Sequence, residues 1–388
     1  MVERNPKYDG LHVFKPDLTK LKSGDVLLTR NVETVSSRNK IQSDLVMKAT
    51  GGNFSHALLC TKPPTFIEAI GQGVSNISVQ NCFAHDLKNV KLLRYSDSAI
   101  GSAAGSIALP LLGQKYSIRA ALQSILPNIQ VSNVPEGQLF CSALVAAAFQ
   151  KAGASEFSSI DPMKVTPAVL EKATYFQDVT SDVFVRILSP SNIEQMSALD
   201  GDRSESPMLA QAGLFQSYCD TLLPRINAFI SQTPELTFTK RPTSFLECLM
   251  FIPAASQACD SLLEAVAGNS RSAIAEIDNL AYELLSDGRL EEMIRAATVI
   301  DETSSQYIIA QSFAPSPDID LADIKGLIVA TREQVDSRSQ ILGHADLHGR
   351  SRAFDEWLRI SEKIVEIQKQ RLQILEEVRG RVFPSERI

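Results

Sequence analysis

Hydrophobic periodicity changes once along this chain, near Ser204, and that change limits the folds open to it. Before that point, short apolar runs are broken by glycine, proline and asparagine, the pattern of strands joined by turns. The stretch "KSGDVLLTR", Lys22 to Arg30, turns at Gly24 and runs into a strand; further strands are expected at Thr65 to Ile70, Gly73 to Val79, Val90 to Tyr95 and Val183 to Leu188. Helical spacing appears at Ser36 to Ala49, Ser102 to Leu112, after "GQKYS" and from Cys141 onward. Mixed in this way, residues 1–195 read as one α+β domain. After Ser204, spacings of three and four take over. Leu209 to Ser231, Ser244 to Val266, Ser272 to Leu285, Leu290 to Phe313, Ile319 to Ile341 and Arg350 to Val378 all read as helices, so residues 204–388 are expected to form a helical bundle or array.

Composition narrows the function classes. The 388 residues are 44 % hydrophobic, enough for two domains and a sizeable core. A net charge of -7 advertises no basic surface for nucleic acid or an anionic membrane. The opening "MVERNPKYDG" lacks the basic head and apolar run of a secretory signal, and no apolar stretch reaches membrane-spanning length, so the expectation is a cytoplasmic protein without a membrane span. Cysteines at 60, 82, 141, 219, 248 and 259 show no C-x-x-C spacing. Neither a disulfide framework nor a structural metal site is indicated, no cofactor is expected, and a reducing compartment would keep a thiol usable.

One of those cysteines stands at a chemically favourable place. In "QLFCSALVAAAFQKAG", Leu144, Val145, Ala148, Phe149 and Ala152 recur at helical intervals and Gly153 supplies a stop, so Cys141 falls in the first turn of a helix. There the unpaired N–H groups and the positive end of the helix dipole favour a thiolate. Core packing is the competing reading, because cysteine is also a small hydrophobe. A base is available in "NFSHALLC". On a strand His56 shares a face with Phe54 and Leu58, an apolar setting for an imidazole. After the "KPP" turn, "TFIEAIGQGV" places Glu68 on the next strand, where a hairpin sets the carboxylate beside the imidazole. His56 as base, Glu68 as orienter and Cys141 as nucleophile would then come from three rigid elements.

With those residues in place the chain resembles the circularly permuted papain-like fold of the NlpC/P60 superfamily, especially the YiiX/YaeF-type amidases and, more distantly, the lecithin:retinol acyltransferase-like proteins. The resemblance covers roughly Leu21 to Pro190 and rests, in order, on "SGDVLLTR", "FSHALLC", "TFIEAIGQGV", "LLGQKYS" and "LFCSALVAAAFQKAG". It implies a small antiparallel sheet or barrel packed on helices, followed here by an all-helical domain with no counterpart. It also implies a cysteine-dependent amidase or peptidase working through a thioester, with Cys141, His56 and Glu68 in the catalytic roles. Asp25 matches a structural or orienting aspartate on the opening strand, and Tyr116 a recurrent tyrosine near the site. Ser117 stands where an acidic or amide residue is frequent. The substrates implied are a peptide, an isopeptide or a lipid amide. Acyl transfer, and an inactive or partner-gated scaffold, remain the alternatives.

Rival motifs are weaker. His344 and His348 in "GHADLHG" have the spacing of two zinc ligands, but Ala345 stands where a zinc protease has glutamate. The stretch "AAGSIALPLLGQ" lacks the glycine pattern of a nucleotide loop. His85 and Asp86 form a reserve base pair, expected at the surface. In the last helix, Leu358, Ile360, Ile364, Ile367, Leu372, Leu375 and Val378 alternate with charges without a clean heptad. Packing inside its own bundle is the first reading, and self-association of two chains through these helices the second.

Overall fold

A computed structural model of the chain describes residues 11–32, 37–70, 73–113, 115–116, 138–188, 193, 196–201, 207–238, 241–261, 264–295, 321–343 and 351–383. His344, His348, Ser117 and the helix expected after "GQKYS" lie outside them, as does most of Leu290 to Phe313. The first region contains β1 (His12–Pro16), β2 (Val26–Thr29), α1 (Ser37–Thr50), β3 (His56–Lys62), β4 (Thr65–Ile70), β5 (Gly73–Ser78), β6 (Cys82–Phe83) and β7 (Val90–Tyr95). There follow α2 (Ser98–Ala108), β8 (Lys115–Tyr116), β9 (Gln138–Leu139), α3 (Cys141–Lys151), α4 (Pro167–Lys172), β10 (Phe176–Asp178), α5 (Thr180–Val183), β11 (Phe184–Leu188) and β12 (Ser197–Ala198). The second region is helical: α6 (Pro207–Gln232), α7 (Phe245–Asp260), α8 (Glu264–Ser286), α9 (Leu321–Gly343) and α10 (Arg352–Val382). The fold is therefore mixed α+β.

Its centre is a six-stranded sheet of order β10-β7-β2-β3-β4-β5, antiparallel throughout. Of the two forms expected, an open sheet is found. Its central strands are apolar on both sides. Val26, Leu28, Ala57, Leu59, Ile67 and Ala69 face a core filled by Leu144, Val145, Ala148 and Phe149 of α3 and by Ala104 and Ala108 of α2. Leu27, Leu58, Cys60, Phe66 and Leu92 point the other way, against Ile324, Leu327 and Ile328 of α9 and Leu375 and Val378 of α10. A strand buried on both faces must be covered twice, and the second cover comes from the far end of the chain. The remaining helices pack around a third core, built on Tyr218, Phe229, Phe245, Leu249 and Ile252.

The helix α10 ties the cores together. Ala353 and Ile360 sit in the bundle core while Leu375 and Val378 sit under the sheet. Of the apolar stripe read from the sequence, Ile360, Leu375 and Val378 are buried within the chain and Ile364 and Leu372 pack against those cores, while Leu358 and Ile367 are half-buried and Ile374 is exposed.

Several boundaries differ from the sequence reading for local reasons. The helix expected from Ser102 starts at Ser98 because Asp97 caps it, accepting from the N–H groups of Ala99 and Ile100. The helix expected to run to Val266 stops at Asp260, where Ser261 closes the last turn through Ala258 O. The strand expected at Val183 to Leu188 begins at Phe184, pairs with β1 rather than with the main sheet, and is followed by β12.

Glycine lets α2 lie against backbone. A Cβ at Gly105 would stand 2.6 Å from Cys60 O and 2.9 Å from Thr61 O, neither of which can move away alone. Gly105→Ala is expected to cost about 1–3 kcal/mol, read as a lowered urea midpoint at unchanged slope. Gly213→Ala in α6, where nothing lies within 4 Å, should be neutral or stabilising.

Candidate active site

The strand carrying His56 is set by the turn before it. Gly51 takes a positive φ of 62°, and Gly52 lies so close to α4 that a Cβ there would come within 2.6 Å of Ala168 Cβ. Glu171 of α4 then grips Asn53 twice, accepting from its backbone N–H at 2.9 Å and its side-chain amide at 2.6 Å. Lys172 donates to Gly51 O at 2.9 Å. These contacts fix where β3 begins, and His56 is its first residue.

The next strand supplies the carboxylate. In the β3–β4 ladder Leu58 stands opposite Glu68, which makes His56 a diagonal neighbour of Glu68 on the same face. The His56 Nε2–H donates to Glu68 Oε2 at 2.6 Å. The Glu68 side chain is buried and that of His56 is 19 % exposed. Leu58 is on this face, as expected, but Phe54 is not: it precedes the strand and packs with Ala57 and Leu59 on the other side.

The thiol arrives from α3. Cys141 is the first residue of that helix, after an N-cap, Phe140, whose side chain offers no acceptor. The first intrahelical bond runs from Leu144 N to Phe140 O at 2.9 Å, so the preceding N–H groups point out of the helix end. The Ser142 hydroxyl donates to Val165 O at 2.7 Å inside the core and holds that end in place. Cys141 itself is 7 % exposed.

Thiol and imidazole are near enough for each to shift the other's titration, which makes them electrostatic partners. Since Nε2 is taken by Glu68, Nδ1 is the ring nitrogen available to sulfur. The backbone N–H groups of Ser142 and Ala57 also favour charge on the sulfur. The second of these was not foreseeable from spacing. The β3–β4 ladder ends at Leu58, and Ala57 lies just past it, where the strand edge opens toward the end of α3.

Burial opposes both charges: it raises a thiol and lowers an imidazole. Pairing overcomes it. His56 and the two backbone donors bring Cys141 below its ordinary value. Cys141, with the hydrogen bond and charge of Glu68, brings His56 up to about 9. Each partner therefore favours the charged form of the other, the thiol lowered and the imidazole raised. Because His56 titrates above its unfolded value of 6.5, its proton stabilises the fold fully below that pH, and the contribution is lost as pH rises through about 9.

The other site candidates lie apart from this trio. Asp25, fully buried, receives Arg94 on both oxygens, at 2.8 and 2.7 Å, and the Lys22 N–H at 2.9 Å. It sits at the end of β2 remote from Thr29, the residue paired with His56, and is a structural anchor. A cavity of about 320 Å³ lies at that end, lined by Lys22, Arg94, Ser98 and Glu333. Tyr116 is in β8, whose parallel partner β9 leads into Cys141; its side chain is outside the described residues. The pairing expected for His85 is corrected. Its ring donates to Asp200 at 2.8 Å, not to Asp86, which instead caps a short turn through the Lys88 N–H. Asp200 is 115 positions away, beyond any local pattern.

Among the described residues no group of three or more His, Cys, Asp or Glu could hold a metal ion, and no helix is long and apolar enough to cross a membrane. Comparison with family models, curated proteins and solved structures finds no match.

The electrostatics give a direct expectation. Iodoacetamide at pH 7 should alkylate Cys141 ahead of the five other cysteines, by peptide mass. In His56→Ala, burial is left to raise the thiol without the imidazolium to oppose it, and the rate should fall by about tenfold or more, each pH unit of thiol shift being tenfold in thiolate.

Proposed function

We propose that this chain is a cysteine-dependent amide hydrolase, an amidase or peptidase, acting through a thioester on Cys141. The observation that carries the reading is the chain of contacts Cys141–His56–Glu68, closed by the 2.6 Å bond from Nε2. A buried carboxylate, a buried imidazole and a thiol at a helix start are each ordinary. Coupled in series, with the thiol lowered, they suit the roles of nucleophile, general acid–base and orienter. The order along the chain, with the histidine strand before the cysteine helix, supports a permuted papain-like domain.

The chemistry follows from the atoms. The Cys141 thiolate attacks the amide carbonyl, and an oxyanion forms beside the outward N–H groups at the start of α3. One such donor, aligned, contributes roughly 3 kcal/mol to the transition state. His56 gives its Nδ1 proton to the departing amine, leaving a thioester. The neutral ring then takes a proton from water, which releases the acid and restores the ion pair. Such acid–base assistance contributes about two to four powers of ten in rate. Glu68 stays ionised and holds Nε2–H through both steps. A peptide, an isopeptide or a lipid amide meets these requirements, and an amine or alcohol replacing water would make the same site an acyltransferase.

Cys141→Ala should abolish turnover of amide substrates. Glu68→Gln keeps an oxygen that accepts from Nε2–H and loses only the charge, so its kcat should fall less, by about tenfold, than that of Glu68→Ala, by about two to three powers of ten. Intact mass should show an acyl adduct on Cys141 that water discharges. An adduct discharged only by an added amine or alcohol would replace hydrolysis with transfer; no adduct and no turnover across amide libraries would leave an inactive scaffold.

A further inference from the structure

The helical bundle holds three more cysteines, Cys219 on α6 and Cys248 and Cys259 on α7, all without solvent exposure. Ring contacts trace the seam between the two helices. Phe215 stacks on Phe245 at 5.2 Å, Tyr218 meets the same ring at 5.1 Å, and farther along Phe229 meets Phe251 at 6.2 Å. The two helices touch most closely where Phe215 and Tyr218 meet Phe245. Cys219 lies one turn past Phe215 and Cys248 one turn past Phe245, on the same faces. Both thiols are fully buried in the same core, one turn on from rings in contact, and the Cys219 side chain acts directly on the Cys248 thiol. Cys259 lies farther along α7 and takes no part.

We propose that Cys219 and Cys248 are a disulfide-forming pair that staples α6 to α7 when the chain meets a hydroperoxide. One sulfur attacks the peroxide; the O–O bond breaks, a sulfenic acid forms and water leaves. The partner sulfur then attacks the S–OH sulfur, the S–O bond breaks, and the departing hydroxide takes the partner's proton as a second water. The two sulfurs lose two electrons and the peroxide gains them. The Cys219 side chain and burial push the Cys248 thiol well above its usual range, so the reaction is slow at neutral pH and selects a small, uncharged oxidant. Contact decides the rest: a sulfenic acid with a thiol beside it is resolved before it is oxidised further.

The staple would act at a place that matters to the fold. Phe215 and Phe245 also seat Gly113, where a Cβ would lie 2.9 and 3.4 Å from their Cβ atoms, and the Ser244 hydroxyl donates to Pro110 O at 2.5 Å. That turn leads into β8, which pairs with β9 just before Cys141. The proposal itself does not depend on the enzymatic reading.

The test is a hydrogen peroxide titration of the folded full chain at pH 8, quenched, denatured, alkylated with N-ethylmaleimide and mapped by tryptic mass spectrometry. The expected product joins the peptide containing Cys219 to the one containing both Cys248 and Cys259, with two hydrogens lost and fragment ions placing the link on Cys248. Cys60, Cys82 and Cys259 should remain thiols at that dose. A link to Cys259, separate sulfinic acids at Cys219 and Cys248, or free thiols at both until circular dichroism reports unfolding would each overturn it.

Discussion

The rest of the structure depends on a sheet whose central strands are apolar on both faces. Leu27, Leu28, Leu58 and Leu59 alternate across β2 and β3, yet none of them reaches solvent. Burying a leucine is favourable by about 1.5–3 kcal/mol, so neither face can be left open. On one side the cover is α3, apolar on nearly every face because it lies between the sheet, α2 and the segment around Val165. On the other it is the antiparallel pair α9 and α10, from the end of the chain. The two halves distinguished by their periodicity thus share a core.

That arrangement also decides where charge can survive. A thiolate and an imidazolium within a packed layer are stable only as partners, with a carboxylate behind and backbone N–H groups in front. The donors come from two ends, that of α3 and that of the β3–β4 ladder, and ends are where a packed fold has N–H groups to spare. The grip of Glu171 on Asn53 and of Ser142 on Val165 O keeps both ends in register.

How much of this was legible in the sequence follows from the range of each interaction. The hairpin of His56 and Glu68, and the helix headed by Cys141, rest on neighbours within a few residues, and the alternation and spacing of side chains display them directly. Phe54 was misplaced because strand alternation was carried one step beyond the strand. The His85–Asp200 pair, the Ala57 donor and the cover by α9 and α10 join segments far apart, and nothing in either partner's neighbourhood announces the other. The amphipathic stripe of α10 was visible; that its two ends serve different cores was not, because a stripe reveals that a face will be buried and not against what. β10, three residues long, is too brief for periodicity to mark.

The reach of α10 across two cores has a consequence for how the protein is made. Synthesis runs from the N-terminus, so β2, β3, β4 and β7 leave the ribosome long before Leu375 and Val378 exist. During that interval the lower face of the sheet, with Leu58, Phe66 and Leu92, has lost its eventual partners to time. A nascent chain in that state displays a flat apolar surface of the kind that chaperones bind and that neighbouring chains on a polysome can join. Codons for α10 therefore bear on whether strands encoded far upstream of them stay folded.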